Sequence, residues 1–485
     1  MQIGAKHLSW SAMAIGLFAQ TALLAGAIAI TNSSTAQAQV GDSDRPQNRK
    51  STTKSASPRP KTPKATPPVR KPSTAAKGLI VSPSGPYRSI GDAIADSPSG
   101  GRITVRPGTY SEGVIVDRGI QLIAEGAVED VRIESPDKDG ILIDTDEPVT
   151  IRGFTIRSVA GRQGAKFYGI DIPQGRPIIQ DCDISSDSLA SIAIHTRGTN
   201  PTIQRCQIVN GAAGGVFIYE GAQGKIEDCN IWGHELANVE IKDGSYPSFL
   251  RVKIHDGAAG GIFLNSGGSG VFEDCDVYRN TLANVEIRDP SKPVFRRCKM
   301  REGKQGGIYV YGNGQGTFEN CDIVGNSLAG VEVKTGGAPT LRNCRITGGK
   351  VSGVFIGVDG LGLIENCDIS GNTFAGLEIR ERGNPVVRGT RIHSGQQGGV
   401  FVYEGGRGTI EDCDIVENTR AGIEIKSFGN PLFRRCRINR NGYEGVWVYE
   451  RGAGTFEYCD VSANQRGAWD VSAEYLQVIP GTHYV

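Results

Sequence analysis

Apolar positions return along this chain with a fixed step. Val216, Ile262, Ile308, Val354, Val400 and Val446 stand 46 residues apart. Val239, Val285, Val331, Leu377 and Ile423 fall halfway between, so the underlying step is 23 and two versions of the unit alternate. A fixed period of this size marks a solenoid, whose units bury their apolar faces against their neighbours. Inside a unit the spacing is two: Val216 and Ile218 point one way, Phe217 and Tyr219 the other. Period two belongs to a strand. No unit holds an amphipathic stretch of helical length, which argues against the helical repeats. Three short strand-like runs, parted by Gly, Asn and Pro, bend each unit into a three-sided coil. Stacked coils pair in parallel, so the pattern predicts an all-β fold, a right-handed parallel β-helix. At ~4.8 Å per coil, residues 79–475 hold roughly 16 to 17 coils, a rod on the order of 80 Å long.

The corners carry their own signals. Gly215, Asn238, Gly261, Asn284, Gly307, Gly330, Gly353, Gly376, Gly399, Gly422 and Gly445 precede the inward Val, Ile or Leu residues. Only Gly and Asn recur there, which predicts a bend with positive φ. Pro201, Pro247, Pro293, Pro339, Pro385 and Pro431 fall at strand starts, where a missing N–H is tolerated. In "YRSIGDAIADSPSG", Ile90, Ala93 and Ile94 share one helical face. A short helix there is expected to cover the first coil and block its open edge. Residues 476–485 are expected to cap or trail the last coil.

Composition adds the ends. The 67 glycines, without a collagen period, fit a chain of many turns. Residues 1–38 hold Lys6, the apolar run "AMAIGLFAQTALLAGAIAI" and "AQA" at Ala36–Ala38. They resemble a secretory signal peptide, with a retained membrane anchor as the alternative. Residues 39–78 are rich in Pro, Lys, Ser and Thr and cannot bury a core, so a disordered basic linker is expected. It serves as a spacer or as a tether to an anionic envelope surface. From these segments the protein is expected outside the cytoplasm: secreted, periplasmic or on the cell surface. A formal net charge of +1 gives no sign of a nucleic-acid partner.

The 11 cysteines lie between 182 and 459, mostly 23 apart. Val252 and Thr390 fill the missing rungs, and Cys182 stands one residue out of phase. Metal binding needs ligands converging on one point. Rungs ~4.8 Å apart are wider than a disulfide's Cβ separation of about 3.8 Å. The ladder is therefore read as stacked, buried small hydrophobes, and no metal or cofactor is expected.

Charges alternate between coils. Glu273, Glu319, Glu365, Glu411 and Glu457 interleave with Arg296, Arg342, Arg388 and Arg434. Asp276, Asp322, Asp368, Asp414 and Asp460 interleave with Lys253, Lys299, Arg345, Arg391 and Arg437. Such alternation predicts ion-pair ladders and accounts for the doubled unit. One outward face differs. Phe217/Tyr219, Phe263/Asn265, Tyr309/Tyr311, Phe355/Gly357, Phe401/Tyr403 and Trp447/Tyr449 alternate with Glu240/Lys242, Glu286/Arg288, Glu332/Lys334, Glu378/Arg380 and Glu424/Lys426. An outward aromatic stripe crossed by charges suggests a binding surface. Packing of the stripe upon itself is the other reading.

The opening "VSPSGPYRSIGDAIADSPSGGRITVRPGTYSEGVIV" resembles the start of the pectate-lyase-like superfamily of right-handed parallel β-helices. Gly398–Ile438, "GGVFVYEGGRGTIEDCDIVENTRAGIEIKSFGNPLFRRCRI", resembles the β-helix repeats of bacterial envelope proteins and of F-box substrate-recognition adaptors. In the latter repeats the ladder residue is commonly Asn; here it is mostly Cys. The resemblance implies the fold. Of the activities it implies, the hydrolase-type GHG segment and the esterase-type QDT context are both missing from the sequence. The leading expectation is thus a non-catalytic scaffold binding carbohydrate or an extended protein segment along the stripe. The alternatives are a polysaccharide lyase or epimerase using the irregular coils between Asp137 and His195, and a purely structural envelope protein.

Overall fold

The computed structural model describes residues 78–161, 166–471 and the strand 476–478. The predicted signal segment, nearly all of the linker and residues 479–485 lie outside the described residues. Within 73–485, one compact unit, the chain winds through three parallel sheets of 18, 15 and 16 strands. One coil shows the plan: Val294–Arg296 lies in sheet 1, Lys299–Arg301 in sheet 2 and Ile308–Val310 in sheet 3. Pairing is in register, with Phe295 beside Phe318, Met300 beside Ile323 and Ile308 beside Val331. The step is 23 from Thr202 until the last coil, where Gly454 pairs with Leu476, but earlier coils vary, as Gly101 pairs with Ile120 and Gln121 with Thr150. The helix Ile90–Asp96 buries Ile90, Ala93 and Ile94 and packs against the first strands of sheets 1 and 3. Ser89 caps it by accepting from the Asp92 N–H at 3.2 Å. Leu476–Val478 pairs in parallel with Gly454–Glu457 and so extends sheet 1. Among the described residues no helix is long and apolar enough to cross a membrane.

Inward residues stack by type. Phe249, Phe272, Phe295 and Phe318 form one column, with ring centroids 4.8, 4.5 and 4.9 Å apart. A second, polar column was not anticipated. Buried Asn280, Asn326, Asn372, Asn418, Asn441 and Asn464 line the corner between sheets 2 and 3. The Asn326 Oδ1 accepts from the Gly303 N–H at 2.9 Å, and its Nδ2 donates to the Met300 carbonyl at 3.1 Å. Each Asn thus satisfies corner backbone groups that no strand pairs. His234 takes the same place: Nδ1 accepts from Gly211 N–H at 3.0 Å, and Nε2 lies 3.0 Å from the Ile208 carbonyl.

The expected positive φ at Gly215 and its equivalents is not found there. The left-handed residues are others, such as Asp228, Arg251, Asp274 and Arg297 at the corner between sheets 1 and 2. Gly recurs before the inward Val or Ile because space is short. A Cβ at Gly307 would lie 2.6 Å from the Gly330 carbonyl oxygen and 2.7 Å from the Asn326 Nδ2.

All 11 cysteines are free and buried. Cys182 is in the ladder after all. Asp183 pairs with Gln207, and the loop 195–201, one residue longer than 219–224, absorbs the offset. Each ladder thiol donates to the carbonyl two residues back, as Cys298 does to Arg296 at 3.3 Å. The neighbouring thiol and burial push Cys321 and Cys344 up to about 12. Protonated, buried thiols are poor nucleophiles. The native protein at pH 8 is therefore expected to take up no iodoacetamide while the unfolded chain takes up 11 equivalents. Mass spectrometry checks this, and rapid native labelling at any rung would contradict it.

The first charge ladder forms as expected: Arg296 reaches Glu273 and Glu319, both at 3.1 Å, and Arg434 reaches Glu411 and Glu457. The second forms in part. Arg345 pairs with Asp322 and Arg437 with Asp414, but Asp276 is taken by Arg301 at 2.9 Å. A third ladder runs along the left-handed corners, with Arg251–Asp228, Arg297–Asp274 and Arg435–Asp412 at 2.6–2.8 Å. These pairs are half exposed and screened by solvent, so each adds little to stability.

Candidate functional site

The predicted stripe lies on sheet 3, and every one of its residues projects from the strand face opposite the core. Two residues apart on one strand, the rings stack in pairs. Phe217–Tyr219, Tyr309–Tyr311, Phe401–Tyr403 and Trp447–Tyr449 have centroids 4.3–4.5 Å apart. Cations from the intervening coils cover the rings. Lys242 lies 5.2 Å from the Phe217 centroid, Arg288 5.2 Å from Phe263, and Lys334 5.3 Å from Phe355. Arg380 reaches Phe355 and Tyr403, and Lys426 reaches Phe401 and Tyr449. Where Gly357 replaces Tyr, Phe355 fills the space and is only 2 % exposed. Where Asn265 replaces Tyr, its Nδ2 donates to Glu240 at 3.2 Å.

The carboxylates are held from the next coil. Tyr311, Tyr403 and Tyr449 donate to Glu286, Glu378 and Glu424 at 2.7, 2.7 and 2.6 Å. Ser352 also donates to Glu378, which is 3 % exposed. Burial pushes all three carboxyls above their ordinary range, against the tyrosine hydrogen bonds. Glu332 pairs with Lys334 on its own strand. The stripe is thus bonded within itself. Its ring faces are taken by partner rings and cations, and the hydroxyls of Tyr311, Tyr403 and Tyr449 are taken by carboxyls.

At the N-terminal end of the same sheet the pattern changes chemistry. Asp171, on strand Ile170–Ile172, lies 3.0 Å from the His195 Nε2. His195 follows strand Ile192–Ile194 and stacks on Tyr219 at 4.9 Å. The Tyr168 and Tyr219 phenols lie close enough to interact. The Tyr168 N–H donates to Asp139 Oδ1 at 2.6 Å, and Glu220 stands 3.8 Å from the His195 Nδ1. The Asp171 hydrogen bond holds the His195 imidazolium, raising its pKa against burial. Burial raises Tyr168, Tyr219 and Asp139. An imidazole set between a carboxylate and a phenol pair can take a proton on one side and give one on the other. The repeat spacing alone does not bring Asp171 and His195 together. The signal was the diagonal 25-residue contact of Tyr311 with Glu286, which in these coils becomes 24 residues. The strands there pair 22 apart, Ile170 with Ile192, so a 23-residue frame hides it.

Sheet 2 carries a further column that the reading passed over. Trp232, His255 and Tyr278 stack at 6.1 and 4.6 Å, and the Arg301 guanidinium lies 4.2 Å from the Tyr278 centroid. Among the described residues no three His, Cys, Asp or Glu side chains converge as a metal site.

The family model described as "Right handed beta helix region" matches residues 139–268, 235–346 and 329–479. The chain belongs to this right-handed β-helix family. No curated protein matches the sequence. Among solved structures, this β-helix is similar to the mannuronan C-5 epimerase AlgE4 A-module of Azotobacter vinelandii, at 13% identity over 78% of this chain and 91% of that one, TM-score 0.29. The AlgE6 A-module of the same organism gives 14%, 81%, 93% and 0.33. The pectin methylesterase of Aspergillus niger gives 18%, 53%, 87% and 0.34. At these values the likeness concerns the winding of the chain and assigns no activity to the β-helix.

Proposed function

We propose that this β-helix is an exported protein that binds a polysaccharide laid lengthwise along sheet 3, without cleaving it. One observation carries the reading: rings and cations recur there at a strict two-coil step from Phe217 to Tyr449, with a Tyr hydroxyl beside the ring in four of the six ring coils. That step is ~9.6 Å, twice a coil rise of ~4.8 Å. An extended peptide presents like-facing side chains every ~6.7 Å and falls out of phase within a few coils. In an extended glycan one sugar covers about one coil rise, so contacts repeat along the whole face. The basic linker would hold the β-helix near an anionic surface. Retention on a panel of envelope polysaccharides tests this. Tyr311→Ala with Tyr403→Ala is expected to weaken retention about tenfold, the loss of one or two hydrogen bonds, while far-UV circular dichroism stays unchanged. Unchanged retention would remove the reading.

A second reading rests on the Tyr168–Asp171–His195–Tyr219 cluster, which ends the same face. Removing the proton next to a uronate carboxylate needs a base on one side. Loss of the C4 substituent then leaves an unsaturated end, and return of a proton from the other side gives an epimer. His195 and the tyrosine pair stand as acid and base. If the retained polymer gains unsaturated ends, or takes up deuterium from D2O, with or without calcium, this reading replaces the first. His195→Gln is then expected to lower the rate ~10²–10⁴-fold. Retention with neither change leaves the β-helix a binder.

A further inference from the structure

One column on sheet 3 orders charge more strictly than the fold requires. Along it stand Tyr219, Lys242, Asn265, Arg288, Tyr311, Lys334, Gly357, Arg380, Tyr403, Lys426 and Tyr449, so neutral and cationic rungs alternate without exception. The ladders of sheets 1 and 2 alternate acid with base and cancel. This column alternates a cation with a hydroxyl, an amide or nothing.

The acids beside it are engaged unevenly: Glu332 pairs with Lys334, and Arg380 lies 3.8 Å from both Glu381 and Glu404. Glu286, Glu378 and Glu424 sit on the same strands as Arg288, Arg380 and Lys426, yet each is drawn to the tyrosine of the next coil. Arg288 pairs instead with Asp289 at 3.1 Å and remains 40% exposed, and Lys242 stands 3.8 Å from Asp243 and 33% exposed. The cationic residues recur ~9.6 Å apart, with hydrogen-bonding groups between them, and Arg288 and Lys242 are more exposed than Lys334 and Arg380.

We infer that the polysaccharide of this face carries an acid group on every second sugar, a repeat of one acidic and one neutral unit. This rests on the binding reading and deepens it. Each acid group meets Lys242, Arg288, Lys334, Arg380 or Lys426. Each neutral sugar meets a Tyr hydroxyl, the Asn265 amide or the open rung at Gly357. A polymer with an acid on every sugar would set half its charges over rungs that hold no cation, beside ring edges and buried carboxyls, where desolvation goes uncompensated. Such a polymer fits the face less well, although its charge density is higher.

The test titrates the mature full-length protein by calorimetry with decasaccharides of four kinds. Hyaluronan and unsulfated chondroitin alternate acid and neutral sugars, oligogalacturonate is acidic throughout, and carboxyl-reduced hyaluronan is neutral. At least one alternating polymer is expected to bind ten-fold or more tightly than both oligogalacturonate and the neutral chain. Arg288→Gln with Lys426→Gln should erase that preference, and Arg288→Lys should keep it. Oligogalacturonate binding as tightly as either alternating polymer overturns the inference and leaves the binding reading standing. A preference that survives the double glutamine variant also overturns it. If none of the four binds and the envelope panel is not retained, the binding reading itself falls.

Discussion

Phe295→Ala is expected to lower stability by ~3–5 kcal/mol, the range for losing a buried aromatic ring. The Phe295 side chain is fully buried and stacked between Phe272 at 4.5 Å and Phe318 at 4.9 Å, nearly parallel to both. The cost is at the high end because the site cannot collapse. Its strand is bonded in register to Val271–Glu273 on one side and Gln315–Glu319 on the other, so neighbouring rings cannot slide into the gap. In a solenoid each coil touches only its neighbours, so the damage stays local. Hydrogen exchange should lose protection first in the coils around residues 272–318, with the ends less affected. Phe295→Leu keeps much of the volume and should lose clearly less. Denaturant unfolding measures both variants; a loss below about 1 kcal/mol for Phe295→Ala would mean that the column is not what holds these coils.

The second large effect is set by pH through His234. Burial lowers its pKa to about 4, against the Ile208 hydrogen bond that favours the charged form. The ordinary histidine value is about 6.5. The folded protein therefore binds fewer protons at this site than the unfolded chain. Above pH ~6.5 neither state is charged there and stability is full. As pH falls toward 4, the unfolded chain takes up a proton that the folded one refuses, and ~3 kcal/mol is lost. Below that no more is lost at this site. His234→Asn isolates the effect, because Asn280 bonds Gly257 N–H and the Ile254 carbonyl from the equivalent place. The variant should match the parent at pH 7.5 and exceed it at pH 4.5 in guanidinium midpoint. Equal midpoints at pH 4.5 would show that His234 does not govern acid sensitivity.

How far the residues foretold the structure depends on what repeats. Val216, Ile262 and Ile308 lie on one strand column because identical coils stack at a constant step, so the period reported the architecture directly. The charge ladder of Glu273, Arg296 and Glu319 followed for the same reason. The period says nothing of φ, which is why Gly215 and Gly307 were given a left-handed bend when close approach of the next coil requires them. Nor does it say how a side chain turns once outside the core. The rings of Tyr311 and Tyr403 were placed on the right face, but their stacking and their bonds to Glu286 and Glu378 depend on rotamers that spacing does not fix. The Asp171–His195 contact lay where coil length varies, and there a fixed frame misaligns true neighbours.

The alternation of Glu273, Arg296 and Glu319 also bears on how such a chain changes length. Deleting one coil would bring Glu273 directly beside Glu319, and on sheet 3 would set two rings or two cations on adjacent rungs. Deleting two restores acid beside base and cation beside hydroxyl. A tandem change of 46 residues therefore keeps both alternations intact, whereas one of 23 breaks them at the junction. Each such event moves the end of the molecule by one fixed increment, so the repeat acts as a ruler whose smallest division is the pair.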